Sequence, residues 1–106
     1  MSSTPGLIGR LSPKLTNPQR KTLRGLGHDL NPVVLVGQRG ISENLLENVE
    51  QALLDHELIK VKVHDPDIID EVATRIHETT GAQLAQKIGK VLLFFRAHPK
   101  EPVIKL

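Results

Sequence analysis

Hydrophobic positions in this chain fall into blocks whose period alternates between that of a helix and that of a strand. Thr16 and Gln19 occupy the first and fourth positions of a capping box, and Pro18 stands where a starting helix tolerates proline. The spacing predicts a helix from about Asn17 to Gly27, packed along Leu23 and Leu26, with Arg20, Lys21 and Arg24 fanned over the adjoining side. After Asn31-Pro32 the uninterrupted apolar run Val33-Val34-Leu35-Val36 predicts a strand covered on both faces. Ser42 caps a second helix to about His56, with Leu45, Leu46, Val49, Ala52 and Leu53 as its buried stripe and Glu43 in the first turn. Leu58 to Val63 alternates as a strand does: Ile59, Val61 and Val63 face one way, and Leu58, Lys60 and Lys62 the other. Asp65-Pro66 opens a third helix through Thr80, with Ile69, Val72, Ala73 and Ile76 inward and Gly81 as its stop. Gln83 to Ile88 and Val91 to Arg96 form a final hairpin about Gly89-Lys90.

The order αβαβαββ defines an α/β domain of two-layer type with a mixed four-stranded sheet. The strand-helix-strand units call for a parallel pair, and the last hairpin adds an antiparallel strand. Residues 1–14, rich in Ser, Pro and Gly, read as a flexible basic arm, 15–98 as the folded domain, and 99–106, with Pro99 and Pro102, as an extended tail. The length of 106 residues suits one domain with a small core. No apolar run approaches the roughly 20 residues that span a bilayer, and no hydrophobic leader opens the chain, so the reading is of a cytoplasmic monomer without a membrane partner. The absence of cysteine rules out disulfide, zinc-knuckle and thiol chemistry.

A net charge of +2 says little about partners, but its distribution says more. Up to Asn31 the charges are Arg10, Lys14, Arg20, Lys21 and Arg24 against Asp29 alone, and from Lys87 on they are Lys87, Lys90, Arg96, Lys100 and Lys105 against Glu101. Between these basic ends lie two acidic blocks, Glu43 to Glu57 and Asp65 to Glu78, the second broken only by Arg75. Acidic helices sharing one side would leave a basic side for a polyanion.

The candidate chemistry centres on Gly37-Gln38-Arg39-Gly40. A loop bracketed by glycines between a strand and a capped helix exposes backbone N–H groups to an anion, and Arg39 supplies a planar fork for phosphate oxygens. Spacing alone is satisfied by a turn. Neither the Gly-Lys-Ser/Thr ending of a nucleotide P-loop nor the third glycine of a dinucleotide fingerprint is present. His28, His56, His64, His77 and His98 show no i, i+4 pair, so no metal site, cofactor or catalytic set is assigned. Tyr and Trp are missing and Phe94 and Phe95 face opposite ways, so any bound RNA is expected to be held mainly by phosphate and ribose contacts, hence by shape.

Taken together, "LTNPQRKTLRGLGHDLNPVVLVGQRGIS", "EQALLDHELIKVKV" and "IGKVLLFFR" resemble the CRM domain (chloroplast RNA splicing and ribosome maturation), in its stand-alone bacterial YhbY-like form, from about Leu15 to Arg96. The resemblance implies a fold similar to the C-terminal domain of translation initiation factor three. It also implies a non-enzymatic RNA-binding role on ribosomal RNA in precursors of the large ribosomal subunit; ribosomal proteins are a further candidate partner, through the acidic helices. The family's Gly-x-x-Gly loop maps onto Gly37, Gln38, Arg39 and Gly40 and its basic first helix onto Arg20, Lys21 and Arg24; Lys60 and Lys62 extend that cationic track. Phe95 stands where the family often has tyrosine before arginine. The alternatives are a module that docks a basic protein through the acidic helices, an intron-splicing cofactor, and a small enzyme that uses the loop for a phosphorylated metabolite.

Overall fold

The computed structural model describes residues 14–106, so the basic arm expected at 1–14 lies, apart from Lys14, outside the described residues. The elements are α1 (Asn17–Gly27), β1 (Pro32–Val36), α2 (Glu43–His56), β2 (Leu58–Val63), a 3-10 turn (Pro66–Ile68), α3 (Ile69–Thr80), β3 (Gln83–Ile88) and β4 (Val91–Phe95). Local signals set most of these ends. Thr16 and Gln19 complete a capping box at α1, and the Ser42 side chain accepts from the Leu45 N–H at α2. Gly81 ends α3 in the left-handed conformation, with φ 77°. The Asp65 cap opens the 3-10 turn rather than α3 itself, its carboxylate accepting from the Asp67 N–H.

The sheet runs β1-β2-β4-β3, with β1 parallel to β2 and β4 antiparallel to both β2 and β3. Alternation along the central pair separates two cores. On one face Val34, Val36, Ile59, Val61, Val63, Leu92 and Phe94 pack beneath Leu46, Val49 and Leu53 of α2 and Ile69, Val72 and Ile76 of α3. On the other face Leu58, Leu93, Phe95 and Ala85 pack under Leu23 of α1 and Leu15. The two-layer form thus describes the sheet with α2 and α3, and α1 adds a partial third layer behind it.

Two expectations need correction. β1 is covered on one face only: Val34 and Val36 are buried, whereas Val33 is 51% and Leu35 64% exposed. β1 is an edge strand, and α1 covers the back of the sheet toward β3 and β4 but not as far as β1. Leu26 is likewise exposed at 50%, and the packed stripe of α1 is Leu23 and Gly27. A Cβ at Gly27 would lie 2.8 Å from a Leu93 methyl, so the helix rests its glycine on Leu93 and turns Leu26 aside.

Two charged side chains tie the ends of the fold together. Arg96 makes a bidentate pair with Glu50 at 2.6 and 2.7 Å and also donates to the Thr80 carbonyl, joining β4 to α2 and to the end of α3. Glu57, at positive φ (61°) between α2 and β2, is 96% withdrawn from solvent, being 4% exposed. Its carboxylate accepts the N–H groups of His98, Val103 and Ile104 at 2.7, 3.0 and 2.8 Å. The C-terminal segment, expected as an extended tail, has no regular structure but is held against the domain, with Ile104 packed on the rear core. Burial alone would push the Glu57 carboxyl up; the three N–H bonds, with the nearby His98, outweigh it and hold the group below its ordinary value.

A carboxyl depressed by folding contributes stability above its unfolded pKa, and that contribution is lost as the pH falls through the folded value. The Val103 and Ile104 amide resonances should therefore keep their bound shifts at neutral pH and lose them in acid, below the ordinary carboxylate range. Glu57→Gln, which removes the charge, should abolish that transition and destabilise the protein by about 1–3 kcal/mol. Unchanged amide shifts in Glu57→Gln would contradict the account.

Candidate functional site

Between β1 and α2 the chain makes a tight turn, closed by the Gly40 N–H donating to the Gly37 carbonyl at 3.1 Å. The two glycines differ in their reasons. Gly40 has φ 73°, a conformation that disfavours side chains, and a Cβ there would meet only Ile68 at 3.6 Å. Gly37 has no positive φ, and a Cβ would meet nothing within 4 Å. The fold therefore accounts for Gly40 and leaves Gly37 unexplained. Gln38 and Arg39 are exposed at the tip. The start of α2 behind the loop carries its own carboxylate, Glu43, so an anion would be drawn to the loop amides and Arg39 more than to the helix end.

Sheet topology brings a further cation to this loop. The His64 N–H donates to the Val36 carbonyl and the Val63 N–H to the Lys90 carbonyl, so the exits of β1 and β2 and the β3–β4 turn meet at one end of the sheet. Gln38, His64, Pro66 and Lys90 line one shallow depression there, with Asp65 as its acid. The sequence does not mark Lys90 as a site residue. Its signal was the Gly89-Lys90 turn, but only the insertion of β4 beside β2 places that turn next to the glycine loop.

On the rear face, a groove of about 530 Å³ opens between the C-terminal half of α1 and the sheet. Lys21, Arg24 and Lys60 stand along it, and Gly25, Val91 and Leu93 are among its apolar lining. The Lys60 ammonium donates to the His28 carbonyl at 3.3 Å, which holds it across the gap between β2 and α1. Lys62, two residues along β2 on the same face, lies in register between Leu35 of β1 and Val91 of β4 and is exposed. Arg20 leaves this group: its guanidinium donates to the Leu84 carbonyl of β3, and it lines a depression with Glu78 at the β3 edge. The structure thus brings Lys21, Arg24 and Lys60 together, continues toward Lys62, and gives Arg20 a tie to the sheet.

Two of the basic residues near the C-terminus are also engaged within the fold. Lys87 pairs with Asp70 at 2.8 Å and Arg96 with Glu50. Arg24, Arg39, Lys62 and Lys90 have no ion-pair partner among the described residues. The acidic helices α2 and α3 lie together on the opposite face of the sheet from α1, as the arrangement of the two cores requires. Among the described residues no group of three His, Asp or Glu is placed to hold a metal ion. His77 bonds the Ala82 carbonyl, and His98 accepts the Lys100 and Glu101 N–H groups. No described helix is long and apolar enough to cross a membrane.

The family model of the CRS1/YhbY (CRM) domain matches residues 15–96. A probable RNA-binding protein of Pseudomonas aeruginosa is 38% identical over 92 residues, covering 81% of this chain and 85% of the relative. An RNA-binding protein of Haemophilus influenzae is 43% identical over 88 residues, covering 77% and 85% respectively. The solution structure of a hypothetical Staphylococcus aureus protein, described as a candidate RNA binder, superposes with a TM-score of 0.74 at 34% identity, covering 87% of this chain and 98% of that one. The match spans every strand and helix described above, and the chain belongs to the CRS1/YhbY (CRM) domain family.

Proposed function

We propose that this chain is a non-enzymatic RNA-binding protein that grips the RNA backbone with its Gly-x-x-Gly loop and the cationic rear face of its sheet. The observation that carries the reading is the segregation of charge. Lys21, Arg24, Lys60 and Lys62 stand on the face that α1 only partly covers, and the acids of α2 and α3 lie on the other. A polyanion approaching such a molecule is oriented before contact. Arg39 and Lys90 extend the track to the end of the sheet, where Gly37 leaves the loop backbone open to a phosphate. The names of the relatives support RNA as the partner. The resemblance to the stand-alone bacterial form points to ribosomal RNA in precursor large subunits, and hence to ribosome assembly in the cytoplasm. Arg20, tied to Leu84, contributes its charge from the edge rather than from the centre of the track.

A docking face for a basic protein is the second reading, and the exposed Glu43 and Glu47 on α2 favour it. Glu50 is excluded from that face because it holds Arg96.

Each phosphate neutralised contributes about 0.9 to the log–log salt slope on duplex nucleic acid. Arg39→Ala should weaken binding to unrelated RNAs by a similar factor and lower the slope by about 1, measured by fluorescence anisotropy across a salt titration. An unchanged slope would remove Arg39 from the interface. Gly37→Ala should leave the melting temperature within a few degrees and still weaken RNA binding, because only the approach of a phosphate requires the missing Cβ. Equal affinity in that variant would leave the loop as a turn. Glu43→Gln combined with Glu47→Gln should keep or raise RNA affinity. A loss of affinity would put the interface on the acidic side.

A further inference from the structure

Gly25 lies in the C-terminal half of α1 with ordinary helical backbone, and a Cβ there would meet nothing within 4 Å. Glycine at such a position costs about 1 kcal/mol relative to alanine. Gly27, two residues on, has a packing reason in Leu93; Gly25 has none, and the space before it is the rear groove. The helix therefore carries a destabilising residue where the only evident effect is to keep the groove open.

The groove has the chemistry of a divided site. Its volume of about 530 Å³ falls within the roughly 300–1,000 Å³ typical of small-ligand sites. Leu93, Val91 and Ile88 supply aliphatic surface, Lys21, Arg24 and Lys60 supply positive charge, and no carboxylate lines it. An occupant that satisfies both halves has a flat, weakly polar part and an adjacent anion. Gln86, half-buried on the lining strand, carries an amide that both donates and accepts. Paired bases, stacked inside a helix, cannot enter a concave site of this kind, whereas a base turned out of the stack can.

Building on the RNA-binding reading above, we infer that the groove between α1 and the sheet receives one unpaired nucleotide of the bound RNA. Its base lies against Leu93, Val91 and the open backbone of Gly25, and its phosphate faces Lys21, Arg24 and Lys60. The expectation that RNA is held mainly through phosphate and ribose is thereby extended, since an aliphatic groove accepts a base without an aromatic platform. The protein would select RNA for an interruption in a helix as well as for backbone shape.

The test compares a fully paired RNA hairpin with the same hairpin carrying a single unpaired adenosine or uridine, using wild type, Gly25→Ala and Gly25→Leu. Gly25→Ala should melt no lower than wild type, because alanine favours the helix. Wild type should bind an interrupted hairpin about tenfold more tightly than the paired one, through the apolar surface that the base buries against Ile88, Val91 and Leu93. Gly25→Leu, which fills the groove, should lose that preference while keeping its affinity for the paired hairpin. Equal wild-type affinity for paired and interrupted hairpins overturns the groove assignment and leaves the RNA-binding reading standing. So does a Gly25→Leu protein that retains the preference, or one that weakens on all the hairpins alike. Binding of wild type to none of the hairpins at moderate salt overturns both.

Discussion

Strict alternation along β2 is the constraint on which the rest of the molecule depends. Ile59, Val61 and Val63 must enter the front core, so Lys60 and Lys62 have no choice but the rear face. A shift of one residue would bury two ammonium groups beneath α2 and α3 and expose three β-branched side chains, a penalty far larger than any local preference. β4 makes the same division with neighbouring aromatics, Phe94 in the front core and Phe95 in the rear. The cationic character of the back of the sheet thus follows from how the core is built.

Charge is separated by covering the two faces unequally. The front face carries two helices and the larger core, and the acids of those helices point outward on that side. The rear face carries one helix, which leaves the β1 side bare and opens a groove along its C-terminal half. A molecule of net charge +2 can in this way present a strongly basic side. Several of its cations are engaged within the fold: Arg96 by Glu50, Lys87 by Asp70 and Arg20 by a carbonyl of β3. The basic surface is therefore narrower than the distribution of charge along the chain suggests.

Element ends were legible because they are local. The capping box at Thr16 and Gln19, Ser42 before α2 and Gly81 after α3 act within a few residues of where they stand. The uninterrupted apolar run of β1 was misleading, since the same run suits a strand buried on both faces and an edge strand whose second face carries Val33 and Leu35 into solvent. The glycine loop could be read from its two glycines, though not the division of labour between Gly40, held by its backbone angle, and Gly37, held by nothing in the fold. The groove could not be read, because it exists only once α1 settles on Leu93 through Gly27. Lys90 depended on strand order, which pairs residues far apart in the chain. Glu57 offered no pattern: an acid between a helix and a strand resembles any surface acid until the tail returns to it.

The clasp at Glu57 recognises the returning segment entirely through main-chain donors, the N–H groups of residues 98, 103 and 104. Both prolines of this segment, Pro99 and Pro102, fall at positions that donate nothing to it. Most side chains there can change without opening the clasp, provided that the three N–H donors keep their spacing, that His98 still holds the Lys100 and Glu101 N–H groups, and that residue 104 still fills the rear core. A change of sequence in this segment, which lies beyond the family match at residues 15–96, is then a poor guide to a change of structure, because the closure is written largely in the backbone.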